Sequence, residues 1–194
     1  MKSGELYGLI LAGGESKRMG IDKSTINFHG VPQHEYLNQL LKKYCKRVFT
    51  SIGKTSQTAD FINPIRDVFD LSSPIDGIAS AFHSYPNVAW LSVPIDMPTI
   101  DGEVIEKLLD GRDTEKVATC YYDSEGYSPE PLLAIWEPVA GAKLMKFIQQ
   151  GHFSPREFLK MEMANILQPP TSSIHLNINT PEELTRWKTG NKNS

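Results

Sequence analysis

Residues 6–12, LYGLILA, are apolar without interruption, and such a run reads as a strand buried on both faces of a parallel sheet. A glycine loop ends it. Residues 31–46, VPQHEYLNQLLKKYCK, then carry Val31, Tyr36, Leu37, Leu40, Leu41 and Tyr44 at helical spacing, with Pro32 suited to the first turn, and RVFTSI (residues 47–52) follows as the next strand. The rhythm continues with a short strand over 64–69, a helix over 75–85, a strong buried strand over 88–94, a helix over 101–111, and strands over 116–122 and 131–136. Alternating βαβ units of this length predict an α/β fold of three layers, α/β/α, around a mainly parallel central sheet. Ligands of such sheets bind at the carboxyl ends of the strands. The last third predicts helices over 138–151 and 154–163, a late strand over SIHLNIN (173–179) and a closing helix over 180–188, where Thr180, Pro181 and Glu183 form a capping box. There is no repeat and no composition break, so residues 1–190 are expected to form a single domain, with 191–194 a polar tail.

A chain of 194 residues that is 40% hydrophobic can bury a sizeable core. Twenty Lys and Arg against 23 Asp and Glu give a net charge of −3 with no basic stripe, which argues against nucleic acid as a partner. The densest basic run, KKYCKR (residues 42–47), is expected to close a helix, where cations offset the carbonyl end of the dipole. Cys45 and Cys120 stand apart with no CxxC spacing, the usage of a reduced compartment. No apolar run approaches the roughly 20 residues of a membrane span, and the amino-terminal stretch, interrupted by Glu5, is a poor signal peptide. A cytoplasmic location is expected.

The loop after the first strand, LILAGGESKRMGIDKS (residues 9–24), carries chemistry. Gly13 and Gly14 let backbone N–H groups approach a ligand with no Cβ in the way. Arg18 offers a planar fork for phosphate oxygens and Lys23 a compact charge. A Walker A loop is excluded, because Ile21 and Asp22 separate Gly20 from Lys23, and GGESKRMG does not fit a dinucleotide GxGxxG. Glycines and two cations aimed at one polyanion point to a nucleoside triphosphate.

The segment LAGGESKRMGIDK (residues 11–23) resembles the signature loop LAGGxSxRMGxDK of the molybdenum cofactor guanylyltransferases, the MobA family of nucleotidyltransferases of Rossmann-like fold. Arg18, Met19, Gly20, Asp22 and Lys23 all match, and the Asp-Lys ending separates this family from the cytidylyltransferases that share the first half. The resemblance implies GTP bound over Leu11, Ala12, Gly13 and Gly14, with Arg18 and Lys23 on its phosphates. It further implies transfer of GMP to the terminal phosphate of molybdopterin. Other cofactor-biosynthesis proteins and molybdoenzymes would be further partners.

Asp96, in SVPIDMPTI, falls just past the strongest strand, where a carboxylate can hold a hard cation such as Mg²⁺ against phosphate oxygens; the family's metal-binding Asp before x-Pro matches it. SPIDGIASAF (residues 73–82) is similar to the family's GPLAGI, with Ser73 and Asp76 as departures and Gly77 retained, either for close approach to ligand or as a packing glycine. Asp67 corresponds to the family's nucleotide-binding acid, and a carboxylate suits guanine because N1–H and the amino group are adjacent donors. Ser51 stands where relatives usually have Asn, which argues against a nucleotide contact there. NINTPEEL (residues 177–184) matches the family's closing motif, and Asn177 and Asn179 either reach metal or phosphate or serve loop bonding. Arg156, at a predicted helix start, is oddly placed for a cation and suggests an anion partner. HEYLN (residues 34–38) misses zinc-helix spacing, and Trp90, Trp136 and Trp187 read as packing aromatics. A cytidylyltransferase acting on molybdopterin or on a sugar or polyol phosphate would share the loop and Asp96, and a GTP-binding protein without transfer activity would share the loop.

Overall fold

The computed structural model describes residues 5–12, 25–54, 61–176, 178, 183 and 187. The chain runs β1 (Leu6–Leu11), α1 (Gln33–Leu41), β2 (Arg47–Ile52), β3 (Pro64–Arg66), α2 (Ile75–Ser84), β4 (Ala89–Pro94), α3 (Gly102–Asp110), β5 (Ala118–Tyr122), β6 (Pro129–Trp136), α4 (Pro138–Gln149), α5 (Pro155–Met161) and β7 (Asn165–Leu167), and then a 3₁₀ turn, Ser172–His175. The strands form one seven-stranded sheet of order β3-β2-β1-β4-β6-β5-β7. β1 pairs in parallel with β2 on one side and β4 on the other, with Leu11 opposite Ser51 and opposite Pro94. β6 alone reverses, antiparallel to both β4 and β5. The expected mainly parallel sheet is therefore present, with one antiparallel strand inserted.

Period-two alternation divides each strand between the two helical layers. Leu9, Leu11, Phe49, Trp90 and Trp136 pack with Ile78 and Phe82 of α2, Leu144 and Phe147 of α4 and Phe158 of α5. Ile10, Val48, Leu91, Val93 and Ile135 pack with Leu37 and Leu41 of α1 and Val104, Ile105 and Leu108 of α3. This is the expected α/β/α layering. The two buried tryptophans are core residues: Trp136 donates its indole N–H to Ser92 Oγ at 3.1 Å, and Ser92 in turn donates to the Ala134 carbonyl. Trp187 packs edge-on against Phe28.

Several expectations are corrected. α1 ends at Leu41, so the basic run lies beyond its last turn, and Lys46 pairs with Glu5 instead of serving the helix end. Pro32 is the N-cap of α1 and not its first residue. The segment expected as a late strand is a 3₁₀ turn at Ser172–His175. Ile174 and Ile178 are buried but Leu176 between them is exposed, and both edges of β4 are already occupied by β1 and β6. The chain therefore passes over the end of that strand, where Ile178 N–H donates to the Asp96 carbonyl at 3.0 Å. β7 was not expected, since its three residues are too few to show a period. Of the expected closing helix, Glu183 and Trp187 are helical and the rest lies outside the described residues.

A buried ion pair joins the turn after α3 to the start of α4. Arg112 donates Nε–H and Nη2–H to the two carboxylate oxygens of Glu137 at 2.6 and 2.8 Å, and Glu137 is 3% exposed. Arg112→Ala leaves that carboxylate buried without its partner, so urea denaturation at pH 7 is expected to show a loss of about 3–5 kcal/mol.

Candidate active site at the carboxyl ends of the parallel strands

The strand order reverses at β1, with β2 and β3 to one side and β4 to the other, which makes the carboxyl ends of β1 and β4 the switch point where α/β sheets bind ligands. Two backbone hydrogen bonds hold that point. Ala12 N–H donates to the Ser51 carbonyl and Ile95 N–H to the Leu11 carbonyl, each at 3.2 Å. Leu11 and Ala12 thus lead into the glycine loop directly beside the turn that carries Asp96. The segment between Asn177 and Asn179 reaches the same point, through Ile178 on the Asp96 carbonyl. Gly13, Gly14, Arg18, Lys23, Asn177 and Asn179 themselves lie outside the described residues.

Asp96 is half-buried. Among the described residues no three His, Cys, Asp or Glu side chains gather into a cage for a metal ion. A carboxylate at a strand end fits Mg²⁺, which is commonly held by one or two carboxylates and completed by substrate phosphates and water.

On the β2–β3 side, Asp67 follows β3, its N–H donating to the Ile52 carbonyl at 3.0 Å. Ser51 Oγ donates to Asp67 Oδ1 at 3.2 Å. Burial, reinforced by the nearby Asp76 carboxylate and partly offset by Ser51, pushes the Asp67 carboxyl up to about 6. Gly77 proves a close-packing glycine: a Cβ there would stand 2.2 Å from Ser51 Oγ and 3.3 Å from Leu11 Cδ2. Its bare Cα lets the start of α2 lie directly on the ends of β1 and β2.

Ser51, discounted from sequence, is therefore the hydroxyl on which Asp67 and Gly77 both rest. Asp76 is a second residue whose role was not legible. Only 2% exposed, it accepts the N–H groups of Phe69 and Leu71 at 3.3 and 2.7 Å and the hydroxyl of Ser80 at 2.9 Å. The available signal was an Asp and a Ser four apart at a helix start, next to a loop needing partners.

On the β6 side, Arg156 meets Asp123 at 3.4 Å and Glu130 at 3.8 Å. The anion expected near Arg156 is thus supplied by the chain itself. These three residues, with Ser124, Glu125 and His175, line a cavity of about 210 Å³. Burial pushes the Glu130 carboxyl up; the Leu132 N–H and Arg156 oppose this, while Asp123 and Asp96 add to it. Burial pushes the His175 imidazole down, with Asp123 and the Tyr122 backbone acting the other way. Asp96 therefore stands between the Asp67 corner and this cavity.

Residues 8–166 match the family described as the MobA-like NTP transferase domain. The "Molybdenum cofactor biosynthesis bifunctional protein" of Synechocystis sp. is 35% identical over 181 residues, covering 92% of this chain and 52% of that protein, so the chain spans about half its length. The "Probable molybdenum cofactor guanylyltransferase" of Trichormus variabilis is 28% identical, with 92% of this chain and 88% of that protein covered. The crystal structure of molybdopterin-guanine dinucleotide biosynthesis protein A from Archaeoglobus fulgidus shares the fold, with a TM-score of 0.74 at 22% identity, covering 97% of this chain and 100% of that one.

Two outcomes test this geometry. A carboxyl raised to about 6 keeps its proton in the folded state where the unfolded chain has released it, so stability is lost as pH rises from about 4 to 6. Asp67→Asn removes that cost and is expected to raise Tm at pH 7.5 by about 2–4 °C, a figure discounted for the solvent screening of a half-buried group, with no gain below pH 4 in thermal scans. Gly77→Ala should lose about 1–3 kcal/mol in urea denaturation, with Ser51→Gly restoring part of it in the double variant.

Proposed function

The chain belongs to the MobA-like NTP transferase domain family, and from that membership we propose that it transfers GMP from GTP to the terminal phosphate of molybdopterin, releasing pyrophosphate. The observation that carries this reading is the placement of Asp96 beside the end of β1, through the hydrogen bond from Ile95 to Leu11. A triphosphate on the glycine loop then has its reacting phosphorus next to a carboxylate suited to a divalent ion. Residues 1–190 act as one domain in this reading, in the cytoplasm; among the described residues no helix is long and apolar enough to cross a membrane.

The loop amides after Ala12, with Lys23 and Arg18, bind the phosphates and neutralise their charge. Asp67 accepts from the paired donors of guanine and orients the base. Asp96 would hold Mg²⁺, which would supply neutralisation of phosphate charge, and Asn177 and Asn179 flank Ile178, whose N–H meets the Asp96 carbonyl. An oxygen of the acceptor phosphate bonds to the α-phosphorus in line, and the bond from that phosphorus to the bridging oxygen of pyrophosphate breaks. The nucleophile is already ionised at neutral pH, so no general base is required. Positioning and charge neutralisation carry the rate.

The test is a panel of triphosphates with molybdopterin and Mg²⁺, read by pyrophosphate release and product mass. GTP alone should give the dinucleotide mass; a CTP product would reassign the nucleotide, and binding without pyrophosphate release would make the chain a nucleotide binder. Lys23→Ala and Asp96→Asn are each expected to lower turnover about 10²-fold or more.

A further inference from the structure

The loop that carries Asp67 is fastened amide by amide to the first two turns of α2. Val68 N–H donates to Ser80 Oγ at 3.0 Å, Phe69 N–H to Asp76 Oδ1 at 3.3 Å and Leu71 N–H to Asp76 Oδ2 at 2.7 Å. Ser80 Oγ donates in turn to Asp76 Oδ1 at 2.9 Å, tying the two side chains together. Asp76 and Ser80 stand one turn apart on the same helix face, both almost fully buried at 2% and 1% exposure. A carboxylate that accepts three hydrogen bonds in a buried setting is costly to install, and a loop could be packed with an apolar side chain instead. What the carboxylate adds is a fixed path for residues 68–71 and a fixed negative charge near Asp67.

We propose that Asp76, braced by Ser80, is a positioning residue for nucleobase selection: it fastens the Asp67 loop and sets the charge at which the Asp67 carboxylate acts, while Ser51 fixes one of its oxygens. The inference rests on the reading of Asp67 as the guanine-contacting acid. Its physical content is electrostatic as well as mechanical. A negative charge behind Asp67 raises its basicity, strengthening it as an acceptor for the N1–H and amino donors of guanine, and moves its protonation toward the working pH range. Among the described residues, the other charged or titratable groups on the elements around Asp67 include Lys54, Asp70, Arg66 and His83. Lys54, after β2, pairs with Asp70 at 3.2 Å; Arg66 on β3 is exposed; His83 at the end of α2 lies edge-on to Phe69.

Three consequences separate this role from simple support of the fold. In the wild-type protein the apparent affinity for GTP should fall as pH is lowered through about 6, as Asp67 takes up a proton and loses its acceptor role. Asp76→Asn removes the charge but turns one acceptor oxygen into an NH2 group facing the Phe69 or Leu71 N–H, so the acid limb of the kcat/KM profile for GTP should move to lower pH by about half a unit or more, and Tm at pH 7 should fall. Asp76→Ala and Ser80→Ala should raise KM for GTP about tenfold and about threefold, with the loss falling on KM and not on kcat, and Ser80→Ala should leave the acid limb in place. The ¹³C carboxyl titration of Asp67, measured in wild type and Asp76→Asn without substrate, reads the same coupling even where a variant is poorly active.

If Asp67→Asn leaves KM for GTP unchanged, the reading of Asp67 as the base contact falls and the proposal falls with it. If Asp67→Asn raises KM while Asp76→Asn moves neither the acid limb nor the Asp67 titration, the base contact stands and the role of Asp76 is overturned.

Discussion

Everything at this site depends on β1 being hydrogen-bonded in parallel on both sides. Parallel pairing brings the carboxyl ends of β1, β2 and β4 out at one edge of the sheet, and burial on both faces leaves that edge as the place where polar side chains meet solvent. The contacts from Ala12 to Ser51 and from Ile95 to Leu11 continue the two ladders one step past the strands. The Asp67 corner, the end of β1 and the Asp96 turn, distant in sequence, are thereby held in a fixed order across the edge.

That order divides the work between two electrostatic environments. On the β2–β3 side one carboxylate, Asp67, is buried beside another, with a single hydroxyl as relief. On the β6 side Glu130 and Asp123 share Arg156, and the cavity between them is polar. The first arrangement costs stability and yields a strong acceptor, a common trade at binding sites. The second is closer to balance in charge. Asp96 lies between them, its backbone held by Ile178.

The layers and most elements were legible because they rest on periodicity over many residues. The continuous apolar strands, the amphipathic helices and the caps at Asp101 and Ser154, which bond Val104 and Glu157, follow from local chemistry alone. Where the reading failed, the decisive partner was remote. Ile174, Leu176 and Ile178 alternate in sequence like a strand, but Leu176 is exposed and β4 has no free edge to receive one. Arg156 looks like an anion site until Asp123 and Glu130 arrive from the β5–β6 hairpin. Ser51 was set aside only as a nucleotide contact, and its packing role between Gly77 and Asp67 depends on how close α2 lies to the strand ends.

Residue chemistry and local spacing gave the α/β class and pointed to the glycine loop with its two cations and to Asp96, whereas Asp67 was singled out by family resemblance. The tertiary structure decided that the end of β1 lies beside the Asp96 turn, that Asp76 and Ser80 grip the Asp67 loop, and that Arg156 is already paired. The physical reason is range. Periodicity and capping act over a few residues, whereas burial, desolvation and the pairing of charges depend on groups that only the folded sheet brings within a few ångströms of one another.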